Sequence, residues 1–135
     1  MRLKRLLVGS LLSLSACKSP TPAEQLASVL SWIATAGMAG DAWLRHTTPD
    51  RYTRETLELA HQTLVQLGNE LLKSPVPGID SASLDTVLTR SEERLAQMQR
   101  LVEAKNSPAF LQQLDSLRTD EKLVKQISDN AESKQ

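Results

Sequence analysis

Glu58-Leu59-Ala60-His61 sets a carboxylate and an imidazole three residues apart, the spacing by which a helix offers both to a dinuclear iron centre. Such a centre needs a second copy and two further inward carboxylates. Glu58 and His61 instead flank the apolar positions Leu57 and Ala60, so the pair reads as solvated. His46 falls in the last turn of an expected helix, where a cation complements the helix dipole. Met38 and Met98 carry thioethers that can ligate haem iron, but no Cys-x-x-Cys-His is present and core packing accounts better for both. No Ser lies in a nucleophile elbow and no Gly-rich loop precedes a helix. The runs Glu92-Glu93-Arg94 and Asp120-Glu121-Lys122 read as solvated faces. The expectation is a protein without enzymatic activity, cofactor or metal.

One reactive group remains, the thiol of Cys17, and with no second cysteine it has no partner for a disulfide within the chain. Ahead of it stand a basic start (Arg2, Lys4, Arg5), an apolar stretch from Leu6 to Leu14 broken by Gly9, Ser10 and Ser13, and the small residues Ser15 and Ala16. That is the layout of a secretory signal, too short to span a bilayer. Leu14-Ser15-Ala16-Cys17 resembles the lipobox of bacterial lipoprotein precursors. The resemblance implies a diacylglyceryl group on the Cys17 sulfur, cleavage between Ala16 and Cys17, and acylation of the new amino group. Two or three chains hold a protein stably on a bilayer, where one does not. Lys18 rather than Asp after the cysteine favours, by the same resemblance, the outer membrane facing the periplasm. Cleavage takes three of the sixteen basic residues and leaves sixteen acidic ones, a net charge of −3. With no basic block, nucleic acid is not an expected partner.

The elements that carry these groups are helical. Aromatic residues are few, so Leu, Ala, Val and Ile must build the core, which suits helices. Thr21-Pro22-Ala23-Glu24 reads as a capping box with Pro at the first helical position. A first helix runs from there to about His46. A second, from about Pro49 to Lys73, carries the seam Leu57, Ala60, Leu64, Leu67 and Leu71. After Ser74-Pro75-Val76-Pro77-Gly78, a third is capped by Asp80 or Ser81 and carries Leu84, Leu88, Ser91, Leu95, Met98 and Val102 to near Asn106. Ser107-Pro108 starts a fourth with Phe110, Leu114, Leu117, Val124 and Ile127, which Thr119-Asp120-Glu121 can break. The expected organisation is a signal peptide (1–16), a lipidated cysteine with a short tether (17–21) of about 15 to 20 Å, a mostly antiparallel four-helix bundle of two hairpins (22–128), and a frayed tail (129–135).

The first helix is unusual. Leu26 to Gly40 holds no charge, and its apolar residues form two adjacent stripes, Leu26/Leu30/Ile33/Gly37 and Val29/Trp32/Ala36/Gly40/Trp43. Either the helix is central in the bundle, with its small residues admitting close neighbours, or part of its surface is left for a partner. Trp32 and Trp43 stand eleven residues apart, three turns, with Ala36 and Gly40 between them. Two aromatic knobs flanking a hollow, extended toward Tyr52, would suit a protein interface. The expected function is that of an envelope lipoprotein binding another envelope protein. The alternative is a bundle enclosing an apolar molecule or haem beside Met38, Met98 or Trp32.

Overall fold

The computed structural model describes residues 19–74 and 76–134. Among these residues the chain forms four helices and no strand: α1 (Pro22–Leu44), α2 (Asp50–Lys73), α3 (Ser81–Glu103) and α4 (Ser107–Ser133). Three of the starts are fixed by side chains. Thr21 Oγ1 accepts from the Glu24 N–H (3.2 Å), Asp80 Oδ1 from the Ala82 N–H (3.1 Å) and Asn106 Oδ1 from the Ala109 N–H (3.2 Å), each satisfying an otherwise orphan donor.

Both short connections close by one device. The Thr47 N–H reaches the Ala42 carbonyl and the His46 N–H that of Trp43; likewise Asn106 reaches Leu101 and Lys105 reaches Val102. Each is a Schellman pair, with His46 (φ 59°) and Lys105 (φ 55°) in the left-handed conformation usually given to glycine. His46 therefore lies just beyond α1, not in its last turn, because the left-handed residue ends the helix.

The helices pack in a square: α1 on α2, α2 on α3, α3 on α4, and α4 back on α1. This is the expected all-α, antiparallel bundle of two hairpins. α1 occupies a corner and is not central. Its apolar surface is wide because it packs on two neighbours, α2 and α4. The core runs the length of the bundle through Val29, Ile33, Leu57, Leu64, Leu88, Leu95, Met98, Phe110, Leu114 and Val124.

α4 departs from the expectation twice. It is unbroken at Thr119-Asp120-Glu121, because Asp120 turns inward, 1% exposed, and meets Arg90 (Nε to Oδ1, 2.9 Å) and Arg94 (Nε to Oδ2, 2.7 Å) on α3, with Ser91 Oγ 3.3 Å away. Asp120 is thus a buried ionic tie rather than part of a solvated run, and Arg94 is drawn in with it. α4 also stays helical to Ser133, where a frayed tail from residue 129 was expected, with Ala131 buried beneath the α2–α3 loop.

Candidate interaction surface on the first helix

Of the residues expected to form a partner surface, most are inside. Trp43 is 7% exposed, its ring tilted on Phe110 with centroids 4.7 Å apart, and its Nε1–H donates to Asp50 Oδ1 at 2.7 Å. Ala36 is fully buried. Gly40 lets Phe110 and Leu114 approach so closely that a Cβ there would sit 3.1 to 3.2 Å from their side chains. Trp32 is half-buried against the core, and only Tyr52, 57% exposed, stands clear. The two tryptophans are not paired knobs on the outside.

What α1 does present is an outer strip without charge. Between Glu24 and Asp41 it shows Ala27, Ser28, Ser31 and Met38, with Ala34 and Thr35 half-buried beside them. Thr35 donates its hydroxyl to the Ser31 carbonyl (2.8 Å), so even that polar group is satisfied within the helix. Met38 projects 66% exposed, the most exposed large apolar side chain of the described residues, where core packing was expected. The reason is angular: counted at 100° per residue, Met38 lies well off the direction shared by Val29, Ile33, Ala36 and Gly40.

Beside Met38 is a hollow of about 190 Å³, floored by Ile33, Ala34, Gly37 and Leu117 and rimmed by Asp41, Arg118 and Glu121. Gly37 opens it. A Cβ on this glycine would meet nothing within 4 Å. Gly in mid-helix costs about 0.5–1 kcal/mol relative to Ala, and here, unlike at Gly40, no neighbour within the chain requires it.

Both flanks extend the strip. On α4, Arg118 pairs with Asp41 across the seam and stands 3.8 Å from Asp115, and Leu111, two turns earlier on the same side, is 46% exposed. On α2, Tyr52 and Leu59 (51% exposed) lie two turns apart, and the same side carries Glu70, which accepts from Gln25 of α1 at 3.0 Å. The adjacent Thr56 and Thr63 donate their hydroxyls to the Tyr52 and Leu59 carbonyls. The outcome is an uncharged strip along α1, bordered on the α4 side by the Arg118–Asp41 pair and on the α2 side by the Gln25–Glu70 hydrogen bond, with the exposed Leu111, Tyr52 and Leu59 beyond. Met38, Leu59, Leu111 and the Gly37 hollow escaped the sequence reading; the absence of charge over residues 25–40 was its visible trace.

The remaining groups lie elsewhere. Glu58 and His61 line a polar groove between α2 and α3 with Arg54, Gln62 and Arg100, and Glu58 accepts from Gln62 at 3.3 Å. Glu92 is half-buried over Gly68, and this burial pushes its carboxyl above the ordinary value, opposed by the nearby His61 and reinforced by Asp85 and Glu93. The described residues hold no group of three His, Cys, Asp or Glu able to bind a metal ion. Met98 is fully buried while Met38 faces outward, so the two border no common interior space. Leu14, Ser15, Ala16 and Cys17 lie outside the described residues. Among the described residues no helix is long and apolar enough to cross a membrane. Comparisons with known protein families, with curated proteins and with solved structures return no match.

Proposed function

We propose that this chain is a non-enzymatic lipoprotein, anchored through acyl chains on Cys17 to the outer membrane and facing the periplasm, that binds another envelope protein through the outer face of α1. The observation that carries the binding reading is the uncharged strip with Met38 and the Gly37 hollow, on a bundle whose other helices are dressed in charge. Exposed methionine adapts to varied partner shapes, and an apolar centre within a charged rim is the usual anatomy of an interface. The lipobox at residues 14–17 supports the anchor, and the short tether from Cys17 to Thr21 keeps the bundle near the bilayer.

The test is cross-linking of the anchored protein in membranes. Met38→Glu and Gly37→Leu abolish recovery of the cross-linked envelope protein, whereas Gln62→Glu in the α2/α3 groove leaves it unchanged, with circular dichroism showing the fold intact in all three. Undiminished recovery with folded Met38→Glu would contradict the assignment.

A further inference from the structure

We infer that the apolar hollow at the end of the bundle where α1 begins seats an acyl chain carried on Cys17, a reading that rests on the lipidation proposed above. The hollow, about 400 Å³, is lined by Pro22 and Leu26 from α1, by Val76, Pro77 and Ile79 from the α2–α3 loop, and by Ala131 near the end of α4. It is built rather than incidental. The Ile79 N–H donates to the Val76 carbonyl at 3.1 Å, closing the turn, and Gly78 takes φ +81° in a place where a Cβ would press on the Ala131 backbone at 3.3 Å. The loop is therefore held down on α4, with Val76 and Ile79 packed against the core below.

Two features choose the occupant. Thr21 itself lines the hollow, and Cys17 is four residues before it, a reach of no more than about 14 Å. A chain attached at Cys17 thus starts within its own length of the recess. Glu132 is the one titratable group on a lining otherwise made of apolar side chains and two hydroxyls, so the site offers a phosphate headgroup no cation of its own and suits a bare run of methylenes. A concave recess also fits a single chain better than it fits the flat face of a bilayer. Seating one chain here covers apolar surface that water would otherwise meet whenever the protein is away from a membrane.

The probe is palmitate, below its micellar concentration, added to the mature chain from residue 17 carrying Cys17→Ser. Saturable binding of one palmitate per chain is expected, weakened at least tenfold by Val76→Glu and unaffected by Met38→Glu. In the lipidated protein, a photoreactive fatty acid incorporated during synthesis cross-links to residues 76–79 and 128–132 once detergent is removed. Absence of palmitate binding, binding indifferent to Val76→Glu, or cross-links confined to bilayer lipids would overturn the inference. Palmitate binding by a chain whose native Cys17 proves unmodified would remove the lipidation reading and the tethered occupant with it. A lipidated Cys17 without palmitate binding removes this inference alone.

Discussion

Gly37 and Gly40 sit three residues apart in one helix, and the structure assigns the same substitution opposite signs at the two positions. Alanine at either relieves the conformational freedom of glycine in a helix interior, a gain of about 0.5–1 kcal/mol. At Gly37 nothing opposes the gain, since the new methyl meets no atom within 4 Å. At Gly40 the methyl arrives 3.1 Å from Phe110 Cε1 and 3.2 Å from Leu114 Cδ1. Phe110 is fully buried and braced by Trp43, which is itself held by Asp50, so the ring has no room to yield. Overpacking of that kind costs about 1–3 kcal/mol. Gly37→Ala therefore stabilises by about 0.5–1 kcal/mol, and Gly40→Ala destabilises by up to about 2 kcal/mol. Urea denaturation with unchanged m-values reads the difference directly, and at about 4 °C per kcal/mol the two variants melt some degrees apart. Destabilisation by Gly37→Ala, or equal stabilisation by both, would refute the claim that one glycine serves packing and the other keeps a hollow open.

Three further outcomes follow from particular contacts. Changing both Arg90 and Arg94 to Met leaves the Asp120 carboxylate buried without a cationic partner, with only the Ser91 hydroxyl beside it, and costs about 3–5 kcal/mol; Asp120→Asn costs less, because the arginines keep access to water, and chemical denaturation of the two variants gives the order. Because burial raises the Glu92 carboxyl above 4.5, the folded state holds that proton more tightly than the unfolded state; its contribution is fully present below pH 4.5 and is lost as pH rises through the folded value, so Glu92→Gln removes that decline from the stability–pH curve. His46→Gly and Lys105→Gly each relieve a left-handed, non-glycine residue and raise stability by about 1 kcal/mol, measurable as a higher melting temperature.

The helices were legible because their ends are chemically marked. Thr21 before Pro22 and Asp80 before Ser81 each place a cap where a hydrogen-bonding side chain is needed, Ser107-Pro108 marks the fourth start although its cap, Asn106, is visible only in the structure, and Leu spaced by three and four between these points leaves only a helical period. What could not be read was decided across the bundle. Asp120 has the appearance of one more surface charge until Arg90 and Arg94, thirty and twenty-six residues away, are brought to it. Gly37 and Gly40 are indistinguishable until Phe110 is placed over one of them. The expected partner surface followed the tryptophans, which are large enough to be wanted by the core, and Trp43 went there; the surface that remained is the neighbouring strip marked by absence of charge.

The claim on which the anchored function depends is a covalent one. Intact-mass measurement of the protein purified from membranes should give the polypeptide beginning at Cys17 plus a diacylglyceryl group and a further acyl group. A mass equal to the polypeptide alone, with a reactive thiol at Cys17, would contradict it.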